Sequence, residues 1–594
     1  MNGRRTQVRP AGPGTPRVPV GRGTRLWDWL RGSTTGLQAL AVVVGLGAGL
    51  GAIAFRWLIV SATWLFTGAR EYTTAPGQPN PHLPGLGTWF VAAVPVVAGL
   101  LYGPLVYRFA REARGHGVPE VMYAVAERGG RIRPRVAAVK ALASAVCIGG
   151  GGSVGREGPI VQIGSALGST VGQLLRIPES RLRLLVACGA AGGIAATFNA
   201  PVAGVFFALE LILADFAVES FAAVVLSAVA AAIVGRAALG DHPFLTLPSF
   251  QIHSPVEYLA YAALGLLAAG VGVGFSRVLY AIEDVCDRLW RGPEWLRPAV
   301  GGIALGGLLL VLPQMYGVGY PVLDNAVGGR YALAFLIALL VGKMVATSLT
   351  IGIGGSGGVF APSLFVGAML GEAFGLVLHS AAPALAPTPG AYALVGMGAV
   401  FAGAARTPIT AVIIMFELTG EYRIILPLML AIALSAGLSR LISRDTIYTR
   451  KLVRRGIDLH QPSAARRLER LTVAAAAEPL PTPLSPDDTL TEMARRFSTE
   501  GTAALPVIDN DGQLRGVVLA IEVERALQGD GERVSAADLA QTVPPLRPDQ
   551  GLPAALEQLT RHGGSGLPVA DQRTGAVTGW VTHLTVLRTA AGAG

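Results

Sequence analysis

Charge is scarce in this sequence. Only 14% of its 594 residues are Asp, Glu, Lys or Arg, whereas 52% are hydrophobic, and the mean hydropathy is +0.51. Residues 37–66 contain one charge, Arg56, and residues 301–323 and 344–371 contain none. Because about 20 apolar residues span the hydrocarbon core of a bilayer, several stretches can cross a membrane. A water-soluble core could not bury so many of them, so the composition indicates a polytopic membrane protein.

Cysteine is also rare. Cys147, Cys188 and Cys286 lie in or beside apolar stretches and lack the spacing of metal ligands. They are expected to be small buried side chains rather than disulfide or metal-binding residues. No Ser/His/Asp constellation or acid–base pair is recognisable either, so neither a metal site nor an enzyme is predicted.

The net charge of +10 raises the question of a nucleic-acid partner. Residues 1–31 are rich in arginine, proline and glycine but contain almost no aromatic residues. Next to a membrane span, such a basic segment marks the cytoplasmic side and can attract anionic lipids. We therefore predict a flexible cytoplasmic tail over residues 1–31 and no nucleic-acid partner.

The chain changes character twice after this tail. Residues 32–450 are mostly apolar and form the predicted membrane domain, and residues 451–471 form a basic linker. The remainder is an ordinary soluble sequence with mixed charges.

The soluble part consists of two similar copies. Leu505-Pro-Val-Ile-Asp509 resembles Leu567-Pro-Val-Ala-Asp571, and a glycine follows each. A helix-like stretch precedes each copy and an apolar stretch follows it. We predict two helix–strand–strand–helix modules that pack against each other, at residues 472–530 and 535–594.

The membrane domain is duplicated as well. Gly151-Gly-Ser-Val-Gly-Arg-Glu-Gly-Pro159 matches Gly354-Gly-Ser-Gly-Gly-Val-Phe-Ala-Pro362, 203 residues later. In a second pair, Pro201 and Pro408 are each followed nine residues on by a glutamate. Repeated segments interrupted by Gly and Pro point to a transporter site near the membrane midplane, although small residues could also merely serve helix packing.

Gly155-Arg-Glu-Gly-Pro159 has the chemistry of an anion site. Glycine-rich backbone that enters a helix presents unpaired N–H groups, and the helix dipole adds partial positive charge. Glu157 places a carboxylate among these donors, and an ionisable group inside a span is a functional candidate. A tethered carboxylate can occupy the anion site and leave it on protonation, which predicts a gate coupled to pH.

Three segments resemble the anion-pathway signatures of the CLC family of chloride channels and transporters, Gly-Ser-Gly-Ile-Pro, Gly-Lys/Arg-Glu-Gly-Pro and Gly-x-Phe-x-Pro. They stand here, in the same order, as Gly115-His-Gly-Val-Pro119, Gly155-Arg-Glu-Gly-Pro159 and Gly358-Val-Phe-Ala-Pro362. The resemblance covers roughly residues 35–455, and the repeated tail resembles the CBS pair of many family members. It implies an all-α polytopic membrane domain, with two inverted halves and broken helices, plus a soluble α/β CBS pair.

The resemblance also implies roles for individual residues. Glu157 takes the position of the gating glutamate, and Tyr448 that of the tyrosine whose hydroxyl closes the inner side of the pathway. Without the family, Tyr448 would be interpreted as an aromatic anchor at the membrane interface. Family members are homodimers, so a homodimer is expected. The other anion-binding positions carried over are Arg156 and Gly158 at the outer site, Val359 and Phe360 at the central site, and His116 in the first segment.

Two positions depart from the family pattern. His116 replaces a serine; its ring either donates an N–H to the anion or points away and leaves binding to backbone amides, so a preference for nitrate or fluoride is an alternative. Leu211 stands where many exchangers carry an internal proton-transfer glutamate, which favours passive conduction. Glu210 or water could replace that glutamate, but a carboxylate at a helix end also explains Glu210.

The CBS copies lack part of the family's nucleotide-binding pattern. Nucleotide-binding copies place Thr or Ser, then Asp three residues later, after the glycine. The corresponding pairs are Leu519 with Glu522 and Thr582 with Thr585. Adenine-nucleotide binding and a purely structural or dimerising tail both stay open.

We therefore predict transport of chloride or a similar monovalent anion across the cell membrane, as a channel or a proton-coupled exchanger, with the CBS modules in the cytoplasm. The expected partners are anions, protons and the lipid bilayer, with no cofactor. A CBS-regulated cation transporter is an alternative, but it would need intramembrane carboxylate ligands, of which the apolar segments offer few. A receptor with a CBS signalling head would not explain the duplicated segments.

Overall fold

The computed structural model describes residues 22–240, 254–383, 388–459, 468–469, 471–528, 534–562, 566–571 and 576–591. They divide into two compact units, with the boundary between Leu452 and Val453. Residues 1–21 of the predicted tail, residues 460–467 and 470 of the predicted linker and the C-terminal residues of both predicted modules lie outside this description.

The first unit is helical throughout. Eight of its helices, among the described residues, are long and apolar enough to cross a membrane, as the scarcity of charge predicts. The helices are α1 (Arg22–Gly32), α2 (Thr34–Thr67), α3 (Phe90–Phe109), α4 (Val118–Glu127), α5 (Arg135–Gly149), α6 (Glu157–Leu174), α7 (Glu179–Phe198), α8 (Pro201–Phe207, continued by a π-turn over Ala208–Leu213), α9 (Val218–Leu239), α10 (Glu257–Leu289), α11 (Arg297–Val311), α12 (Tyr320–Val327), α13 (Leu333–Gly352), α14 (Phe360–Ala381), α15 (Pro389–Ala405), α16 (Pro408–Thr419), α17 (Ile425–Ile442) and α18 (Thr449–Val453).

The order of elements repeats, with α2–α9 corresponding to α10–α17. At the centre, Gly155 and its counterpart Gly358 pair in the antiparallel sense and exchange backbone hydrogen bonds of 2.7 and 2.6 Å. Reciprocal antiparallel pairing of a residue with its own repeat partner places a local two-fold axis between the two residues. The predicted fold of two inverted halves with broken helices is therefore confirmed.

The breaks between helices follow from local sequence at equivalent positions. Asn199 ends α7 and Arg406 ends α15, both in the left-handed conformation with φ of 57°. Pro201 and Pro408 then start the next helices at a position where the missing proline N–H removes no helical hydrogen bond. These breaks leave α8 and α16 too short to cross a bilayer alone.

The predicted flexible tail differs from the structure over its last turns, because Arg22–Gly32 is helical. The Arg181 guanidinium donates to the carbonyl oxygens of Arg31 and Gly32 at 2.6 and 2.8 Å. Arg31 Nε in turn donates to Leu175 O at 2.7 Å, next to the C-terminal end of α6. Cationic donors that satisfy helix-end carbonyls hold α1 in place.

The second unit contains two similar modules, as predicted. In the first, α20 (Leu490–Glu500) precedes the antiparallel pair β1 (Ala504–Ile508) and β2 (Leu514–Leu519), and α21 (Ala520–Leu527) follows; α19 (Val473–Ala476) lies before it. In the second, α22 (Ala536–Leu539) and α23 (Leu552–Arg561) precede β3 (Leu567–Ala570) and β4 (Val577–Val581), and α24 (His583–Ala591) follows.

The two modules exchange extended segments. Glu478, near the start of the first module, pairs with Trp580 of β4, whereas Gln541, near the start of the second, pairs with Val517 of β2. The strand pair of each module is therefore extended by a segment from the other module. This exchange explains why the two modules pack as one unit.

Candidate functional site

Three glycine-rich loops meet at the centre of the membrane unit, each just before a helix. Gly115 N donates to Gly355 O at 2.9 Å, and Gly357 N donates to Gly115 O at 3.3 Å. Together with the pair Gly155 and Gly358, these bonds bring the starts of α4, α6 and α14 to one place. Helix N-termini that converge create a site of positive potential with free N–H donors.

Glycine is required at this meeting point for steric reasons. A Cβ at Gly155 would collide with the carboxylate of Glu157. Gly117 has φ of 80°, and a Cβ there would lie 2.6 Å from Gly158 O. Side chains at either position would fill the space or separate the loops.

Glu157 is the acidic residue of this site, and only 1% of its surface is exposed to solvent. Its Oε1 accepts a hydrogen bond of 2.8 Å from the Tyr320 hydroxyl. Its Oε2 lies 3.4 Å from the backbone nitrogen of Ala361, in the first turn of α14. The carboxylate of one half thus occupies the helix N-terminus of the other, the place that the sequence predicts for an anion.

Tyr320 is the site residue that our sequence analysis missed. It begins α12, after the segment Gly317-Val-Gly-Tyr-Pro321. This segment corresponds to Gly115-His-Gly-Val-Pro119, 202 residues earlier, at both glycines and the proline. A search for a third repeated segment would have found it.

Two buried lysines hold the loops of this third repeat, and they too are counterparts, 203 residues apart. Lys140 Nζ donates to Ala113 O at 2.9 Å and to Gly115 O at 2.7 Å. Lys343 Nζ donates to Gly317 O at 3.1 Å, Val318 O at 2.9 Å and Ser153 Oγ at 2.9 Å. Each ammonium group thereby fixes the loop that starts α4 or α12, and carbonyl partners allow its burial.

The remaining predicted anion-binding residues surround the centre. Val359 and Phe360 start α14 and are buried, with the Phe360 ring 4.4 Å from that of Phe401. Gly158 lies against the carbonyl of His116. The buried His116 ring lies 6.3 Å from the ring of Tyr448, which is also buried.

The Arg156 side chain packs against two aromatic rings beside the centre. The guanidinium lies 5.0 Å from the centre of the Tyr320 ring and 5.8 Å from that of Phe198. Its Nη2 lies 3.4 Å from Thr197 O.

Glu210, the predicted proton-pathway residue, lies in the π-turn that continues α8, and its carboxylate contacts the start of α16. Its carboxylate accepts from Ile409 N at 3.2 Å, Thr410 N at 2.9 Å and Thr410 Oγ1 at 2.7 Å. Its counterpart Glu417 accepts from Val202 N and Ala203 N at the start of α8, at 2.9 and 2.6 Å. The two carboxylates cap helices of the opposite halves, a geometry that fits the helix-end interpretation; a proton role of Glu210 stays a prediction.

The CBS positions singled out in the sequence lie at the starts of helices. The Glu522 carboxylate accepts from Arg525 at 3.0 Å in α21. Thr582 N donates to Thr585 Oγ1 at 2.9 Å and Thr585 N donates to Thr582 Oγ1 at 3.1 Å before α24. The second pair caps its own helix.

No group of three or more His, Cys, Asp or Glu side chains that could hold a metal ion occurs among the described residues.

Comparison with known proteins covers most of the membrane unit. A family model described as voltage gated chloride channel matches residues 98–440, and a CBS domain model matches residues 479–529. A ClcB-like chloride channel protein of Ralstonia nicotianae is 33% identical over 72% of this chain and all of its own length. The H(+)/Cl(-) exchange transporter ClcA of Vibrio parahaemolyticus is 37% identical over 59% of this chain and 76% of its own.

Among solved structures, a slow cyanobacterial Cl-/H+ antiporter superposes with a TM-score of 0.64 at 25% identity, over 72% of this chain and 99% of the antiporter. The sequence motifs, the paired halves and these matches agree. The chain belongs to the voltage gated chloride channel family and carries CBS modules at its C-terminal end.

Proposed function

We propose that this protein carries chloride or a similar monovalent anion across the cell membrane, through a pathway that the Glu157 carboxylate closes and protonation opens. It acts as a channel or transporter rather than as an enzyme. The observation that carries the proposal is the place of Glu157, whose carboxylate lies between the Tyr320 hydroxyl and the first turn of α14.

The closed state follows from electrostatics. An N-terminal helix turn with unpaired N–H groups binds an anion, and a carboxylate tethered nearby competes for the same donors. When a proton neutralises the carboxylate, its attraction to the donors weakens, and a free anion can take its place. Val359, Phe360 and Gly158 then supply backbone around that anion, and His116 and Tyr448 bound it on the inner side.

Proton-coupled exchange is the second candidate, favoured by the relatives that are named H(+)/Cl(-) exchange transporters. Leu211 argues for passive conduction, because a leucine cannot relay protons. Glu210 is the nearest carboxylate in sequence, and its oxygens are engaged by α16. Wild-type coupling therefore has to be measured rather than carried over from the relatives.

The inner face of the membrane unit is assigned by its positive charge. Gln173, at the C-terminal end of α6, donates to Ile132 O at 2.8 Å, so the loop around residue 132 lies at the same end as α1. Arginines cluster in these segments, which marks the cytoplasmic face, and Lys451 lies 3.9 Å from Glu120 of α4 as the chain leaves the unit. We infer that the tail and the CBS modules are cytoplasmic, and that the protein is a homodimer as the family resemblance implies.

Reconstitution in liposomes tests the proposal. Purified protein is placed under an outward chloride gradient, and chloride efflux and proton movement are recorded together. Chloride efflux above that of empty liposomes supports the proposal, and proton uptake against its own gradient adds exchange. Absence of chloride, nitrate and fluoride efflux contradicts it.

A further inference from the structure

Glu372 is a buried carboxyl group to which the pathway described above gives no role. It lies in α14, 12 residues after Phe360, and so roughly 18 Å along the helix from the anion site. The residue has 0% exposed surface, and no N–H or O–H group among the described residues donates to either of its oxygens. Because ionisation without donors or a cation is costly in a buried place, such a group stays neutral.

The helices packed against α14 are α6, α10, α12, α13 and α15. The ionisable groups that they bring towards α14 have other partners, and none of the described ones interacts electrostatically with Glu372. These groups are Glu157 bonded to Tyr320, Glu257 bonded to Ser254 N, Asp324 with Arg330, Lys343 on the loop before α12, and Tyr392 stacked on Tyr261. On α14 itself, His379 is exposed. No described group therefore supplies the positive charge that an ionised Glu372 would need.

The carboxyl group faces the loop that ends α12. A Cβ on Gly329 would lie 3.7 Å from Oε1 of Glu372, and Gly329 is the second residue after α12 ends at Val327. The other end of α12, at Tyr320, lies beside the first turn of α14, since both contact Glu157. The two helices therefore run side by side from the anion site, and Glu372 meets the far end of the helix whose first residue binds Glu157.

The first half of the unit shows what a side chain does at this position. Glu372 corresponds to Ser169, 203 residues earlier, at the offset of the repeat. The Ser169 hydroxyl donates to Gly130 O at 2.7 Å and accepts from Ile132 N at 2.8 Å. It thereby fixes the loop that follows α4, the counterpart of α12. Only the protonated form of Glu372 has an O–H group that can bind the loop after α12 in the same way.

We propose that Glu372 is a second proton-binding site of the membrane unit, and that its protonated carboxyl group binds the loop after α12 as Ser169 binds the loop after α4. Loss of the proton places a negative charge beside the C-terminal end of α12, where the helix dipole is also negative. The repulsion loosens α12 and, with it, the bond from Tyr320 to Glu157. The proton site does not depend on the proposed function, whereas its effect on the pathway rests on that function.

Infrared spectroscopy of the purified protein tests the proton site without transport. The carbonyl stretch of protonated carboxyl groups is compared between the wild type and Glu372→Gln at neutral pH. Glu257→Gln is the matched control, because Glu257 is also buried but accepts a backbone N–H. We expect a protonated-carboxyl band that is missing in Glu372→Gln, kept in Glu257→Gln, and lost from the wild type at alkaline pH. An identical band in the wild type and Glu372→Gln would overturn the site.

Chloride efflux from proteoliposomes at neutral and alkaline pH tests the link to the pathway. We expect wild-type efflux to rise about twofold to fivefold at alkaline pH, the effect of one charge at a helix end, separately from the acid-side opening through Glu157. Glu372→Gln stays neutral and keeps an N–H donor, so it should lack this rise, as should Glu157→Gln, in which Tyr320 has no carboxylate to hold. A rise that persists in Glu372→Gln, or none in the wild type, would overturn the link. A wild-type protein that carries no anion would instead overturn the proposed function, and the infrared band would still decide the proton site.

Discussion

The Tyr320 hydroxyl donates a hydrogen bond of 2.8 Å to Oε1 of Glu157, and the two residues come from opposite halves of the duplicated unit. Tyr320 also lines a cavity of about 680 Å³, together with Arg156 and Phe198. Lys343 fixes the loop that starts α12, so the hydroxyl is held in place rather than mobile. Under the proposed function, opening of the pathway requires that Glu157 gives up this positioned donor.

Replacing Tyr320 by phenylalanine should weaken closure. The change removes the hydroxyl but keeps the ring beside Arg156. A hydrogen bond to a charged group contributes about 1.5–3 kcal/mol, and about 1.4 kcal/mol is a factor of ten, so we expect chloride efflux at neutral pH to rise by about tenfold to a hundredfold. Efflux from proteoliposomes measures this.

A double-mutant cycle controls for indirect effects of this substitution. Tyr320→Phe combined with Glu157→Gln should be no faster than Glu157→Gln alone, since the bond has already lost its charged partner. Additive effects of the two changes would show that Tyr320 acts elsewhere.

The paired helix caps give a second prediction. Glu210→Gln and Glu417→Gln each remove the charge from a cap on the opposite half, so both should lower the free energy of unfolding by similar amounts, about 1 kcal/mol each. Thermal unfolding in detergent measures this. The symmetry also tests the proton role: loss of proton coupling in Glu210→Gln alone would establish it, whereas equal behaviour of the two variants would make Glu210 a structural cap only.

The buried lysines give a third prediction. Lys343→Met keeps the apolar stem but leaves two backbone carbonyls and the Ser153 hydroxyl without their donor, at a cost of about 1–3 kcal/mol for each unsatisfied group. We expect lower thermal stability and faster, less pH-dependent efflux, because the Tyr320 loop loosens. Lys140→Met should also destabilise the protein, but without freeing Tyr320, so identical flux changes in the two variants would contradict the loop argument.

Nucleotide binding by the CBS modules is the fourth prediction. Thr582 and Thr585 cap α24 with their hydroxyls, and Glu522 replaces the aspartate of nucleotide-binding copies. We expect no heat of binding when ATP, ADP or AMP is titrated into the full-length protein. The double substitution Leu519→Thr with Glu522→Asp restores the family pattern and serves as the positive control for nucleotide binding. Saturable binding of a nucleotide to the wild type would contradict this prediction.

The sequence predicted those parts of the candidate site that depend on backbone conformation. Glycine and proline spacing located the three loops and Glu157, because converging helix starts need small residues and cannot vary freely. Tyr320 was not predicted as a site residue, because residues 301–323 resemble an uncharged span and its partner Glu157 lies 163 residues away. Long-range side-chain pairs of this kind leave no periodic signal.

The helix at Arg22–Gly32 was not predicted for a related reason. Its basic composition is typical of a solvated tail, but the donors that hold its end come from Arg181, far along the chain. Local propensity could not show that tertiary contact. The Arg156 side chain likewise packs against rings from two distant segments, Phe198 and Tyr320, which its local sequence does not show.

The pH dependence of chloride efflux in Glu157→Gln tests the central claim most directly. Glutamine resembles the protonated side chain and cannot ionise, so it represents the open state at every pH. The account predicts that wild-type efflux rises as the pH is lowered, whereas Glu157→Gln is fast and independent of pH. A variant that keeps the wild-type pH dependence would show that another group controls the pathway and would contradict the account.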